Sequence, residues 1–188
     1  MPAPGENLRI DAARLWDSLM EMAKIGPGVA GGNNRQTLTD ADAAGRALFQ
    51  RWCEAAGCSM GLDKMGNMFA MRAGTDPDAL PVYMGSHLDT QPTGGKYDGV
   101  LGVLGGLEVL RSLNDAGIKT RHPVVVANWT NEEGTRYAPA MLSSGACQRR
   151  VRGRLPSSAR RNRRSWNWPG LVWTSTPSSG RTGPVTAP

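Results

Sequence analysis

PVYMGSHLDT (residues 81–90) and VVVANWTNEEGTR (residues 124–136) are the two stretches that decide the fold. Each begins with a short apolar run and ends in charged residues, a pattern typical of a buried parallel strand. Between them, residues 99–116 carry leucines at helical spacing, and Gly117 follows as a helix-ending glycine. Strand, helix and strand in this order predict a right-handed βαβ unit whose two strands are parallel.

Five polar residues lie where these elements meet. His87 and Asp89 follow the first strand, Glu132 and Glu133 follow the second, and Asp98 precedes the helix. Because the carboxyl ends of parallel strands lie at one edge of a sheet, and the connecting helix starts there, we expect the five side chains to converge. One imidazole and several carboxylates suit Zn²⁺, Mn²⁺ or Co²⁺. The sequence therefore predicts a hydrolytic metal centre.

The spacing leaves individual roles open. Asp98 could bridge two metal ions about 3.5–4 Å apart, and either glutamate could bind metal while the other acts on a water molecule. Asp89 could accept the second N–H of His87 and fix its tautomer. Each motif alone also has a structural interpretation, since HLD after a strand occurs by chance and NEE can cap a helix. Their order and spacing favour the metal centre.

The residues before this unit predict two helices and a strand pair. The helices are expected at residues 12–24, capped by Asn7, and at residues 40–56, capped by Thr39. MGLDKMGNMFAMR predicts paired strands, of which residues 67–72 are the stronger. The loop GVAGGNNRQTL between the helices could be a surface connector or could border the site. The expected architecture is α/β with three layers, α/β/α.

Charge divides the chain into two unlike parts. Residues 1–147 hold 13 Lys and Arg against 16 Asp and Glu, whereas residues 148–188 hold nine Arg and no Lys, Asp, Glu or His. The net charges of −3 and +9 together give the overall +6. We expect part of a catalytic domain at 1–147 and a disordered Arg/Ser/Pro/Trp-rich tail at 148–188. A nucleic-acid-binding arm is the alternative for the tail, although no specific nucleic acid is predicted.

Cysteine content and hydropathy indicate the compartment. Cys53, Cys58 and Cys147 are odd in number and lack the paired spacing of a metal site, so no disulfide framework is implied. No signal peptide is visible, and no apolar run approaches the ~18 residues of a membrane span. A cytoplasmic protein is expected.

Three segments carry a family resemblance: GGNNRQTLTDADAAGR (31–46), GSHLDTQPTGGKYDGVLGVLGGLEVL (85–110) and NWTNEEGTRYAPAMLSSG (128–145). They resemble the metal-dependent amidases that include N-carbamoyl-L-amino-acid hydrolases, allantoate amidohydrolases and β-ureidopropionases, within the wider group of dinuclear zinc aminopeptidases, aminoacylases and carboxypeptidases. The resemblance implies hydrolysis of linear amide or ureido C–N bonds in a small carbamoyl or ureido amino acid. It also implies two divalent metal ions, Zn²⁺ or Mn²⁺/Co²⁺.

The resemblance also implies a role for each site residue. His87 would bind one metal ion, Glu133 the other, and Asp98 would bridge them. Glu132 would be the general base that deprotonates water and then protonates the leaving nitrogen, while Asp89 would orient His87. TNEEG and GGKYDG favour the carbamoyl and ureido branch. An aminoacylase or metallopeptidase of the same fold is the alternative.

The chain departs from this family in its later part. Family members are longer, form homodimers through an inserted domain, and take one further His ligand from each of two later segments. The only other histidine here, His122, precedes a strand at the opposite edge from the site and is a poor candidate. We therefore expect an incomplete ligand set and negligible activity for this chain alone. The composition of residues 148–188 suggests a frameshifted or truncated gene; a non-catalytic fragment that dimerises is a further alternative.

Overall fold

The computed structural model describes residues 8–153 and 172–174. The expected tail at 148–188 lies outside these residues, except for the end of the last helix and one short strand. The described elements, in chain order, are α1 (Ala12–Ala23), a 3₁₀ turn (Val29–Gly31), α2 (Asp40–Ala55), β1 (Ser59–Leu62), β2 (Met68–Arg72), β3 (Val82–His87), α3 (Val100–Asp115), β4 (Val124–Trp129), α4 (Leu142–Gly153) and β5 (Val172–Thr174).

The five strands form one mixed sheet in the order β3-β4-β2-β1-β5. β3 and β4 are parallel, with Val82 opposite Val124 and His87 opposite Trp129, as the strand–helix–strand pattern predicts. β1 and β2 form the predicted antiparallel pair, and β2 joins β4 antiparallel. The parallel register brings the carboxyl ends of β3 and β4 to the same edge of the sheet.

The main core lies between the sheet and the first three helices, whose buried side chains form a single apolar cluster with β1, β2 and β4. Two glycines let α3 approach the sheet closely. A Cβ on Gly102 would lie 2.7 Å from Ser86 Cβ, and one on Gly106 would lie 3.0 Å from Val126 Cγ1. Gly105 has no such neighbour. The close packing places the N-terminus of α3 directly beside the end of β3.

The opposite face of the sheet carries a smaller aromatic cluster. Phe69 is buried and meets Tyr83 and Trp129 edge-on, with ring centroids 6.4 and 5.8 Å apart. Burial raises the pKa of Tyr83, and the Cys147 thiol of α4 raises it further. A sheet with helices packed on its main core agrees with the predicted α/β class.

The caps of α1 and α2 show which residues start each helix. Thr39 Oγ1 accepts a hydrogen bond from Asp42 N at the start of α2, as predicted. At the start of α1, Asp11 is the cap, because its side chain accepts from Arg14 N at 2.9 Å. The predicted cap, Asn7, lies outside the described residues.

A buried carboxylate fastens α1 to α3. Glu108 is fully buried within α3 and accepts two hydrogen bonds from the Arg14 guanidinium, at 2.8 and 2.7 Å. It also accepts from Asp11 N and from Ser112 Oγ, each at 3.1 Å. Because both carboxylate oxygens are satisfied, this group, the Glu108 cluster, is a stable structural contact.

Among the helices of the described residues, none has the length and hydrophobicity that a membrane span requires.

Candidate metal centre

His87 is the last residue of β3, and its ring is buried against the backbone of Gly99. A Cβ at Gly99 would lie 2.4 Å from the ring, and the φ of +68° also favours glycine. His87 Nδ1 lies 2.8 Å from the carbonyl oxygen of Asp89. Because a carbonyl only accepts, Nδ1 carries the proton of the neutral ring. The lone pair of Nε2 is left for a metal ion or a proton.

The carboxylate of Asp89 has a different position from the one predicted. Its Oδ1 lies 3.7 Å from His87 Nδ1, beyond hydrogen-bond distance. It accepts instead from the backbone of the next strand end, with Oδ1 3.3 Å from Glu132 N and Oδ2 3.2 Å from Glu133 N. The backbone of Asp89 thus orients His87, whereas its side chain holds the two glutamates. Sequence spacing alone does not distinguish a main-chain acceptor from a side-chain acceptor two residues away.

Three of the predicted site residues come together: the proposed ligands His87 and Glu133, and the proposed base Glu132. One ligand atom from each of His87, Glu132 and Glu133 lies within 4.8 Å of the others, and His87 Nε2 is 3.4 Å from Glu132 Oε2. Glu133 Oε2 accepts from Gln91 Nε2 at 3.1 Å, while Glu133 Oε1 is buried and has no hydrogen-bond partner among the described residues. A buried carboxylate oxygen without a donor is costly unless a cation meets it. The donor set therefore fits a divalent metal ion.

A tight turn after β4 presents the two glutamates. Asn131 and Gly134 flank them with φ values of +57° and +67°, a conformation that asparagine and glycine tolerate better than other residues. Asn131 Nδ2 donates to Tyr137 O at 2.6 Å, and Met141 N donates to Glu132 O at 2.6 Å. The turn is thus closed by its own hydrogen bonds as well as by Asp89. Sequence reasoning missed Asn131, although a buried asparagine at a strand end is a signal for such a turn.

Asp98 and His122 lie outside this group. The side chain of Asp98 is exposed at the residue before Gly99, and it is not among the three residues that converge. Its bridging role stays a prediction, because a helix start near the site fixes the backbone position and leaves the side-chain direction free. His122 is exposed, and its Nδ1 lies 2.7 Å from Leu80 O.

The loop between α1 and α2 is part of the site's foundation. Asn33, Arg35 and Thr37 in this loop are buried. Asn33 and Gly94 exchange two backbone hydrogen bonds at 2.9 and 3.0 Å. Arg35 N donates to Thr90 Oγ1, and Thr90 N donates to Arg35 O. Residues 33–37 therefore pack against the segment that carries the site, whereas Val29 and Leu38 of the same loop are exposed. Its glycine-rich sequence resembles that of an exposed loop, so the sequence alone does not predict that Asn33, Arg35 and Thr37 are buried.

Four charged side chains interact near this loop, of which Arg35, Asp42 and Asp89 are buried and Arg46 is half-buried. Burial lowers the pKa of Arg35 and of Arg46, while the carboxylates of Asp42 and Asp89 oppose this shift in both. Burial raises the pKa of Asp42, against the hydrogen bond from Leu38 N and the attraction of both arginines. Two cations and two carboxylates thus share one low-dielectric region, where each ion depends on the others for its stability.

The family comparison agrees with this geometry. Residues 83–167 match peptidase family M20/M25/M40. The chain is 79% identical over 145 residues to an N-carbamoyl-L-amino-acid amidohydrolase of Rhizobium meliloti, covering 77% of this chain and 35% of that protein. It is 39% identical over 150 residues to an N-carbamoyl-L-amino acid amidohydrolase of Geobacillus stearothermophilus, covering 80% and 36%.

Solved structures give the same result. An amidase of the hydantoinase/carbamoylase family from Burkholderia multivorans superposes with a TM-score of 0.73 at 60% sequence identity, covering 74% of this chain and 34% of that one. The chain thus spans about a third of the length of the relatives that it matches.

Proposed function

Because the chain belongs to the metal-dependent amidases of peptidase family M20/M25/M40, we propose that its site serves hydrolysis of the C–N bond of N-carbamoyl-L-amino acids. The observation that carries the proposal is the convergence of His87, Glu132 and Glu133, with the buried Glu133 Oε1 lacking a partner among the described residues. The named relatives supply the substrate class, since two of them are N-carbamoyl amino acid amidohydrolases.

Three residues would hold metal in this proposal. His87 offers Nε2, and Glu133 offers Oε1, while Asp98 remains the proposed bridging ligand. Nitrogen and carboxylate donors suit Zn²⁺, Mn²⁺ or Co²⁺. A bound ion of this kind supplies Lewis-acid chemistry, polarising the scissile carbonyl and lowering the pKa of a water molecule.

Glu132 is the proposed general base and acid. Its side chain keeps 29% of its surface exposed, so that water and substrate can reach it, and Asp89 fixes its backbone. Glu132 would take a proton from the attacking water as the new C–O bond forms. The same proton would pass to the leaving nitrogen as the C–N bond breaks, which leaves Glu132 ionised for the next cycle.

We propose that this chain alone turns over substrate negligibly. Of the five residues for which the resemblance implies a role, the structure brings one ligand atom from each of three into a single group. A metal ion bound by so few donors is held weakly, and loss of ligands usually removes activity. Purified, metal-loaded chain should therefore show no turnover of N-carbamoyl amino acids above a metal-only blank. Measurable turnover would contradict this part of the proposal.

The function itself is tested in a chimaera. Residues 8–147 of this chain would replace the matching segment of the Rhizobium meliloti relative. We expect the chimaera to hydrolyse N-carbamoyl amino acids and to lose that activity on His87→Ala, with His122→Ala as the matched control. Preference for N-acyl amino acids or peptides, or activity that survives His87→Ala, would contradict the proposal.

A further inference from the structure

Arg35 is a fully buried cation in the loop between α1 and α2. The helix beside it is shaped to admit it, because a Cβ at Gly45 of α2 would lie 2.8 Å from Arg35 Cδ. Burying a guanidinium carries a desolvation penalty that an apolar side chain of the same size would not have. The hydrogen bonds of the guanidinium therefore indicate which parts of the fold the buried charge stabilises.

The guanidinium joins the end of α1 to the strand end that carries the metal site. Arg35 Nη1 donates to Ile25 O at 2.8 Å and to Met22 O at 3.2 Å, carbonyl groups at the C-terminus of α1. A cation is favoured there by the helix dipole. Arg35 Nε donates at 2.8 Å to Leu88 O, which lies between His87 and Asp89.

The backbone of Arg35 holds the other side of Asp89. Arg35 N donates to Thr90 Oγ1 at 2.7 Å, and Thr90 N donates to Arg35 O at 2.9 Å. One residue thus makes three hydrogen bonds to the two neighbours of Asp89. Asp89 in turn positions His87 through its carbonyl oxygen and the two glutamates through its carboxylate.

We propose that Arg35 is a positioning residue of the metal centre. It fixes the segment 88–90, so that Asp89 can hold the imidazole and both glutamates in a geometry suited to metal before any metal arrives. This inference rests on the proposed function, because it assumes that the donor group binds metal. Arg35 touches neither the metal donors nor a substrate directly, and it acts through Leu88, Thr90 and Asp89.

Two variants of the 188-residue chain test this role with Co²⁺ as the probe. Arg35→Lys keeps the charge but cannot make the same three side-chain hydrogen bonds. Gly45→Ala crowds Arg35 from a helix position where alanine is otherwise favoured. Glu108→Gln is the control, since it changes an equally buried charge whose described contacts include no residue of the metal centre. Each variant would be titrated with Co²⁺, followed by visible absorption, and unfolded thermally.

We expect Arg35→Lys and Gly45→Ala to weaken Co²⁺ binding about 10–100-fold, as partners of metal ligands usually do, and to change the Co²⁺ absorption spectrum. Glu108→Gln should bind Co²⁺ as the wild type does, even where it unfolds at a lower temperature. If Arg35→Lys fails to fold, Gly45→Ala decides the question.

Three results would overturn the inference. Wild-type affinity and spectrum in a folded Arg35→Lys or Gly45→Ala chain would show that the donors need no support from Arg35. An equal loss in Glu108→Gln at matched thermal stability would show a general effect of destabilisation. Absence of Co²⁺ binding by the wild type would remove the proposed metal centre itself, which distinguishes that failure from the first two.

Discussion

The carboxylates of Glu108 and Glu133 differ in whether each of their oxygens has a hydrogen-bond donor. In the Glu108 cluster every carboxylate oxygen has donors, from Arg14, Ser112 and the backbone of Asp11. At the metal centre, Glu133 Oε1 has none among the described residues. A saturated carboxylate stabilises a fold, whereas an unsatisfied one is available to a ligand. The comparison separates a structural contact from a binding site without reference to any relative.

Other buried polar atoms without hydrogen-bond donors or acceptors follow the same pattern. The buried side-chain N and O atoms that lack a partner among the described residues fall in two segments beside the site. They belong to the 33–37 loop or to the end of β4 with its following turn, and their residues are Asn33, Arg35, Thr37, Asn128, Asn131 and Glu133. Among the described residues, buried polar atoms without hydrogen-bond partners are thus confined to these segments, as expected where function competes with stability.

The largest effect is expected at Glu132. In the chimaera, Glu132→Gln should lower kcat by about 10²–10⁴-fold, because the amide cannot carry the proton from water to the leaving nitrogen. Metal affinity should change far less, since the proposed metal donors are other residues. Steady-state kinetics and a metal titration would be compared with Glu108→Gln in the same chimaera. An unchanged kcat would remove Glu132 from the mechanism.

Breaking the saturated cluster should affect stability alone. Glu108→Ala leaves Arg14 without its main partner, and we expect a loss of about 2–4 kcal/mol in the free energy of unfolding. The loss stays below that of a fully buried pair, because Arg14 keeps contact with solvent and with Asp115. Urea unfolding measures it. Retained stability, or a loss of Co²⁺ affinity in the folded protein, would contradict the separation of the two groups.

A smaller effect is expected at Gln91, which holds the second oxygen of Glu133. Gln91→Leu should weaken Co²⁺ binding about 10-fold, since a supporting hydrogen bond to a metal ligand is lost. Because Gln91 is exposed, its substitution should leave the free energy of unfolding nearly unchanged. Gln50→Leu on α2, whose amide donates to Glu54 Oε1 and to no group of the metal centre among the described residues, is the control. Equal Co²⁺ affinities in the two variants would show that Gln91 does not position Glu133.

The sequence predicts the elements of this fold better than it predicts their contacts. The apolar runs and glycines fix β3, α3 and β4 to within one or two residues, since strand pattern and helix period are local properties. The Glu108 cluster could not be predicted, because Arg14 and Glu108 are 94 residues apart and each is unremarkable in its own helix. Charged residues in helices are usually exposed, and nothing local marks Glu108 as buried.

At the metal centre, too, the sequence predicts which elements meet better than it predicts the side-chain contacts. His87, Glu132 and Glu133 converge as the βαβ topology requires. Asp98 does not join them, since its side-chain direction depends on the local backbone around Gly99. The position of Asp89 between an imidazole and two backbone N–H groups depends on distances of a few tenths of an ångström, which residue spacing does not encode.

The most direct test of the metal centre uses the two histidines of the chain, one in the site and one outside it. In ¹⁵N-histidine NMR spectra of the metal-free protein, we predict that His87 carries its proton on Nδ1. Addition of Zn²⁺ should shift the Nε2 signal of His87 and leave the signals of His122 unchanged, and Glu133→Gln should weaken that response. A proton on His87 Nε2, or equal responses of the two histidines to Zn²⁺, would contradict the account.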